Sequence, residues 1–203
     1  MDVMSRVPFW LPLVVFVPVV GFFLYRSIFV LHISAQYIFL FAVVGEVSWT
    51  LTEYCLHRFV FHYHPKTKTG KRIFFLLHGV HHDYPRDSNR LVIAPIVSIP
   101  LCVFFYTLYY FLIGPVYVNP FFAFYVAGYL FYDMTHYAIH HLNFKSGFWF
   151  VMKQHHAIHH YKDADNGYGV TTKFWDHVFR TMFVKTYRDE KLTANNFPEI
   201  GNE

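Results

Sequence analysis

Fourteen of the fifteen histidines in this 203-residue chain follow residue 50, and twelve of them fall into four clusters. His57 and His62 lie in His-Arg-Phe-Val-Phe-His. His78, His81 and His82 lie in His-Gly-Val-His-His. His136 and His140 stand beside His141, and His156, His159 and His160 follow His155 in His-His-Ala-Ile-His-His. Residues three and four apart share one helix face. The spacing therefore predicts that His78, His81 and His82 point one way, that His136 and His140 do so, and that His156, His159 and His160 do so. Imidazole is a ligand for zinc, iron and copper, and one ion takes about four to six donors at about 2.0–2.1 Å. Ten clustered imidazoles suit two metal ions better than one. Without a cation, so many imidazoles would repel when protonated or lose solvation when neutral. His141 and His155 each sit beside a better-placed histidine and are expected to support the site or face solvent. His32, His64 and His177 stand alone and are read as interfacial or packed residues.

The elements that must carry these clusters are apolar. Hydrophobic residues make up 55% of the chain, aromatic residues 22% and charged residues 15%, against about 25% charged in ordinary soluble domains. Disordered, collagen-like and disulfide-scaffold classes are excluded. Cys55 and Cys102 lie inside apolar runs and read as buried free thiols. Val7 to Tyr25 is uncharged, long enough to cross a hydrocarbon core of about 30 Å, and ends at Arg26. It lacks a cleavage motif and reads as a retained helix. A second run covers 35–56, with Glu46 and Glu53. From Leu91 to Tyr132 there is no Asp, Glu, Lys or Arg. Gly114-Pro115 and Asn119-Pro120 break that stretch into a hairpin of helices over 91–113 and 119–141.

The expected fold is thus all-α: one membrane-embedded domain over 1–203, with four transmembrane helices and a histidine-rich cap formed by 57–90 and 142–186. Four crossings put 16 of the 17 Lys and Arg on the cap side, with Arg26 opposite. The positive-inside rule assigns that face to the cytosol. The tail after Thr186 is polar and expected to be loosely ordered. The basic residues flank apolar runs, a pattern of membrane proteins and not of nucleic-acid binders. Ligating imidazoles need outer partners. Glu53, four before His57, and Asp133, three before His136, either supply these or bridge helices; Asp176 is a weaker candidate. Asp87 and Arg90 are expected to pair, and Gly167 and Gly169 to make a tight turn. The aromatic stripe of Phe104, Phe105, Tyr109 and Phe122 reads as packing or lipid-facing surface more than as a substrate slot.

At the four clusters the chain resembles the fatty acid hydroxylase/sterol desaturase superfamily of membrane oxygenases, and within it the fatty acid 2-hydroxylases. The resembling segments are Glu-Tyr-Cys-Leu-His-Arg-Phe-Val-Phe-His at 53–62, His-Gly-Val-His-His-Asp-Tyr-Pro-Arg-Asp-Ser-Asn-Arg-Leu-Val at 78–92, Tyr-Asp-Met-Thr-His-Tyr-Ala-Ile-His at 132–140, and His-His-Ala-Ile-His-His at 155–160 with the later Gly-Tyr-Gly and Trp-Asp. The resemblance implies a di-metal centre that uses O2 to hydroxylate the carbon beside the acyl carbonyl of a fatty acid or sphingolipid (ceramide) chain. It places the ligand set on His57, His62, His78, His81, His82, His136, His140, His156, His159 and His160, and gives His141 no such role. Many relatives begin with a fused cytochrome b-type domain. The residues before Val7 are too few for one, so a separate cytochrome b-type or ferredoxin-type donor is expected.

Hydroxylating an unactivated C–H bond needs a redox metal, O2 and two electrons. Iron is expected for turnover, with zinc a possible occupant of isolated protein. The host membrane would be the endoplasmic reticulum in a eukaryote or the inner membrane in a bacterium. Three rivals stand beside this reading. The first is sterol, sphingoid-base or carotenoid oxidation by the same superfamily. The second is a haem protein, which needs one or two axial histidines and not ten. The third is a metal transporter, whose ligands belong near the bilayer midplane instead of at helix ends.

Overall fold

The computed structural model describes residues 6–184; the polar tail after Thr186 lies outside them. The described residues form helices and turns only. In chain order these are α1 (Leu11–Tyr25), α2 (Ala35–Cys55), α3 (Lys68–Phe74), α4 (Val80–Asp83), α5 (Pro95–His141), α6 (Gly147–Tyr161) and α7 (Phe174–Val178). Wider π-helical turns extend α1 over Arg26–Val30 and α2 over Leu56–Phe61, and a third, Phe75–Gly79, joins α3 to α4.

Three helical stretches are long and apolar enough to cross a membrane: Leu11–Val30, Ala35–Phe61 and Pro95–His141. The last is a hairpin. Gly114 has φ 82° and ψ 167°, a conformation open to glycine and outside the helical region. Phe105 and Tyr125 bring their rings to 5.6 Å, and Tyr109 and Phe121 to 4.3 Å. In a straight helix, residues 105 and 125 would stand about 30 Å apart. The expected break therefore falls at Gly114, and the second arm starts at Pro115, earlier than 119. Pro115 suits a first helical turn, where its missing N–H leaves no bond unmade.

The other boundaries move for local reasons. The first helix starts at Leu11 instead of Val7, and residues 7–10 run back along the histidine end, where Val7 N–H donates to the Asn89 carbonyl at 2.6 Å. It does not stop at Arg26. The Arg26 Nε–H donates to Asn119 Oδ1 at 3.1 Å, at the hairpin end, so the helix continues to Val30 with its cation partnered. The third helix begins at Pro95 instead of Leu91, because the chain bends at 91–92, where the Leu91 carbonyl serves the site.

The core forms where α1, α2 and the second arm of α5 meet. Phe16, Trp49, Phe121, Phe122, Tyr125 and Tyr129 are buried there. Gly45 and Gly128 set the separation: a Cβ on Gly45 would come within 2.5 Å of the Phe121 carbonyl oxygen, and one on Gly128 within 2.8 Å of the Trp49 ring. Small residues at such a seam let helices approach closely. The outer faces are apolar, with Phe39 71% and Phe111 80% exposed, as a lipid-contacting surface requires. The aromatic stripe divides as expected between surface and packing: Phe104 is exposed, while Phe105, Tyr109 and Phe122 pack in the core. Cys55 and Cys102 are free.

Candidate metal centre

All ten cluster histidines converge beyond the ends of α2 and α5. They form two groups of five: His57, His62, His78, His82 and His159 in one, and His81, His136, His140, His156 and His160 in the other. Within each group, one ring nitrogen from every residue lies within 4.8 Å of the others.

Helix geometry explains the membership. His57 and His62 are five apart, which on an α-helix is a rotation of about 500°, leaving them roughly 140° out of line. The π-helical turn at Leu56–Phe61 corrects this, and its wider ladder includes the His62 N–H to His57 carbonyl bond at 3.2 Å. The His-x-x-His-His units do not each face one point, as their spacing had suggested. His78 and His82, four apart, enter the first group while His81 enters the second; on α6, His156 and His160 enter the second group while His159 enters the first. Each unit spans both groups, because a helix lying between two centres presents its i+3 and i+4 positions to different sides.

The rings are oriented from behind by backbone. His57 Nδ1–H donates to the Tyr168 carbonyl at 2.6 Å, His159 Nδ1–H to the Asn166 carbonyl at 2.7 Å, and His136 Nδ1–H to the Leu91 carbonyl at 2.8 Å. A neutral imidazole that donates from Nδ1 keeps its lone pair on Nε2. In each of these residues Nε2 faces another imidazole of its group.

The inner contacts fit a cation. His156 Nε2 lies 2.9 Å from His136 Nε2, 3.0 Å from His140 Nε2 and 3.0 Å from His160 Nε2. One ring nitrogen carries one proton or one lone pair, so it cannot hydrogen-bond all three. In the other group His78 Nε2 lies 3.2 Å from His57 Nε2 and 3.0 Å from His82 Nε2. Two nitrogens bound side by side to one ion at about 2.1 Å stand about 3.0–3.4 Å apart, so these separations match shared ligation. His81 is 3% exposed, and neither of its ring nitrogens has a hydrogen-bond partner among the described residues. A buried polar group left so would cost on the order of 1–3 kcal/mol, and an ion removes that cost.

Burial also keeps the imidazoles neutral, the state a ligand needs. Burial first, and the neighbouring imidazoles second, push His62 down to about 3 and His82 to about 2. His159 falls to about 4, by burial against the help of its Asn166 bond. His78, His81, His156 and His160 lie well below the usual histidine range for the same leading reason.

Of the two roles the sequence left open for the carboxylates, a bond to a ligand imidazole or a structural bridge, their hydrogen bonds show the structural one. Glu53 touches no ligand-group imidazole. It accepts from the Val170 N–H at 2.8 Å, from the Thr171 N–H at 2.9 Å and from the Thr171 hydroxyl. Asp176 accepts from the Tyr168 and Gly169 N–H groups, each at 2.9 Å, and from the Thr181 hydroxyl at 2.8 Å. Together they clamp the segment whose Tyr168 carbonyl holds His57. Asp133 Oδ1 accepts from the Ile93 N–H at 3.3 Å, two residues from the Leu91 carbonyl that holds His136. His155 is buried, and its Nε2 lies 3.1 Å from Asp176 Oδ2. Burial works to raise the Asp176 pKa, but its bonds, that of His155 foremost, hold it below the usual carboxylate range. His141 is exposed and belongs to neither group. Asp87 pairs with Arg90 at 2.8 Å, as the spacing suggested.

The positioning carbonyls of Leu91, Asn166 and Tyr168 escaped the sequence reading. A carbonyl carries no residue-type signal. The nearest clue to the loop was Gly167 and Gly169, which flank Tyr168.

The fatty acid hydroxylase family profile matches residues 42–181, a stretch that holds every one of these histidines. Dihydroceramide fatty acyl 2-hydroxylase FAH2 of Arabidopsis thaliana is 35% identical over 187 residues, covering 89% of this chain and 76% of that protein. The ceramide very long chain fatty acid hydroxylase scs7 of Schizosaccharomyces pombe is also 35% identical, over 89% of this chain and 52% of its own length. A solved structure described as full-length scs7p, with only the hydroxylase domain visible, superposes with a TM-score of 0.81 at 36% identity, over 89% of this chain and 69% of that one. The chain belongs to the fatty acid hydroxylase family.

Proposed function

We propose that this chain hydroxylates C2 of fatty-acyl chains, including those carried by sphingolipids, with O2 and a pair of metal ions. The observation that carries this reading is the division of ten buried or half-buried histidines into two groups of five convergent ring nitrogens. The relatives' names, dihydroceramide fatty acyl 2-hydroxylase and ceramide very long chain fatty acid hydroxylase, supply the position and the lipid. Overall, R–H, O2, two electrons and two protons give R–OH and water. The metal pair, when bound, supplies O2 activation and electron acceptance, and iron suits this where redox-inert zinc does not.

The protein's own part is positioning. His57, His62, His78, His82 and His159 would hold one ion; His81, His136, His140, His156 and His160 would hold the other. The carbonyls of Tyr168, Asn166 and Leu91 keep protons on Nδ1 and lone pairs on Nε2. Glu53, Asp176 and Asp133 fix the backbone that bears or adjoins those carbonyls. Electrons come from a separate cytochrome b-type or ferredoxin-type donor.

The fold supports four membrane crossings with the metal centre at one surface. Phe9 stacks on Tyr137 at 4.4 Å at the histidine end, and Arg26 meets Asn119 at the other, so α1 runs the length of the hairpin. The excess of Lys and Arg in the segments that carry the histidines supports a cytosolic position for that end. The membrane would be the endoplasmic reticulum of a eukaryote or the inner membrane of a bacterium.

The test is mass spectrometry of hydrolysed lipids from cells carrying the chain or its His81→Ala variant, with donor and iron present. New 2-hydroxy fatty acids that vanish in the variant are expected. Unchanged fatty acids, alongside hydroxylated sterols, sphingoid bases or carotenoids, would overturn the assignment. Turnover by protein loaded with zinc alone would overturn the preference for iron.

A further inference from the structure

Hydroxylation at C2 sets a second requirement on the protein. From C3 onward the acyl chain is plain hydrocarbon, so apolar walls must begin immediately beside the metal ligands. Two clefts meet at such a place. The first, of about 380 Å³, lies between the α3–α4 segment and the start of α5, with Leu76, Leu77 and Val80 on one side and Val92, Ile96 and Val97 on the other. Its one charged lining residue, Arg90, has its guanidinium on Asp87 at 2.8 Å. The second, of about 410 Å³, is lined by Phe74, Phe75 and Gly79 of the same segment and by His62, His78 and His82 of the first imidazole group. Each lies within the range of about 300–1,000 Å³ typical of small-molecule sites.

Phe61 lines both clefts. It ends the π-helical turn of α2 and immediately precedes His62. Its ring stacks on His78, with centroids 5.2 Å and planes 19° apart, and stands 6.4 Å from the His57 ring. A single half-buried aromatic ring therefore divides the apolar cleft from the histidines. Space on both sides of it allows a change of side-chain rotamer. The second imidazole group adjoins the same cleft. Val80 precedes His81, and Val92 follows Leu91, whose carbonyl holds His136; both valines are buried.

The far end of the apolar cleft faces outward. Ile73 is 50% and Ile96 63% exposed, and Ile96 belongs to the first turn of a helical stretch long and apolar enough to cross a membrane. A tail that leaves the bilayer for this cleft exchanges one apolar surrounding for another, so the transfer costs little. The cleft beside His140 and His156 offers Arg86, Lys153 and Asn143 instead, a lining less suited to hydrocarbon.

We infer that the cleft between the α3–α4 segment and α5 holds the acyl tail beyond C2, and that Phe61 is the positioning residue where the chain turns in to the histidines. The amide and head group of an uncharged ceramide then lie on the histidine-lined side. This rests on the acyl-hydroxylase reading above and names the path of that substrate's chain.

The test is photo-capture by the full chain, metal-loaded, in zwitterionic nanodiscs. The probe is N-hexadecanoyl dihydrosphingosine with a diazirine at carbon 12 of the acyl chain, and captured peptides are mapped by mass spectrometry. Capture is expected within 73–77 and 92–97, and unlabelled N-hexadecanoyl dihydrosphingosine should compete it away. Phe61→Trp, which fills the junction, should lower that capture at least about tenfold, while Phe61→Leu should keep it. Leu76→Trp, which shortens the cleft, should shift competition by N-acyl dihydrosphingosines of graded length at least about tenfold toward shorter acyl chains. Unchanged metal content in each variant reports an intact fold, and capture by the parent chain decides the cleft whether or not the variants fold. Capture spread over lipid-facing residues such as Phe39 and Phe111, capture that unlabelled lipid does not compete, or no capture would overturn the cleft. Undiminished capture in Phe61→Trp would overturn the role of Phe61, and an unshifted length profile in Leu76→Trp would overturn the path of the tail. Capture needs no turnover, so its failure is distinguishable from failure of the hydroxylase reading, which the hydroxy-lipid assay reports.

Discussion

The two imidazole groups draw on the same kinds of motif, yet the protein holds them unequally. In the first, His57 and His159 are tied to carbonyls of one loop, 166–168, and Asp176 and Glu53 clamp that loop on α7 and α2. In the second, His136 is tied to the Leu91 carbonyl, while Nδ1 of His81, His156 and His160 has no hydrogen-bond partner among the described residues. Two rings of the first group are held by backbone hydrogen bonds, against one of the second. The second relies more on the ion itself. A site that leaves more of its orientation to the metal should release that metal first.

The sharpest way to break the comparison is to remove a ligand from the less supported side. His81→Ala, in the less supported group, should cost at least about 100-fold in 2-hydroxy product, more than the loss of an outer partner. It should leave one ion per chain by elemental analysis; two retained ions would contradict the grouping. Next in size are the clamps. Asp176→Asn and Glu53→Gln should each weaken metal binding by about 10–100-fold, confined to one of the two ions in a chelator titration. Equal weakening of both ions would show that the loop does not serve one group alone.

Acid sharpens the same contrast. His62, His82 and His159 lie at about 3, 2 and 4 when folded, below the ordinary value of 6.5. The unfolded chain therefore binds more protons than the folded one once pH falls below about 6.5, so stability is lost as pH falls through that region. The metal-free protein should melt at lower temperature at pH 5.5 than at 7.5, and a flat Tm would contradict the burial of neutral imidazoles. The smallest effect belongs to the lipid-facing surface: Phe104→Ala, at a residue 59% exposed, should change stability by less than about 0.5 kcal/mol. Gly128→Val provides the contrast, since its side chain would meet Trp49 and cost about 1–3 kcal/mol or more.

Much of this could be read from residue types. The i, i+3 and i, i+4 spacings drew eight of the ten histidines into face-sharing sets, with His57 and His62 placed by their position at a helix end, and Gly114-Pro115 announced the hairpin. Their partition could not be read, because a one-dimensional spacing does not say which side of a helix meets which centre. The π-helical turn that aligns His57 with His62 leaves no sequence mark of its own. Glu53 illustrates the remaining gap. Its place near His57 left a direct bond and a structural bridge equally open, and its partners are Val170 and Thr171, more than 110 residues away. Helix ends shifted where tertiary contacts overruled local signals, as at Arg26, whose bond to Asn119 carries the helix past a charge.

The most direct test of the central claim is the metal content of the purified full chain, grown with iron, measured beside X-ray absorption at the iron edge. The account predicts two ions per chain, each in a shell of imidazole nitrogens. One ion per chain, or a shell dominated by carboxylate or thiolate, would contradict it.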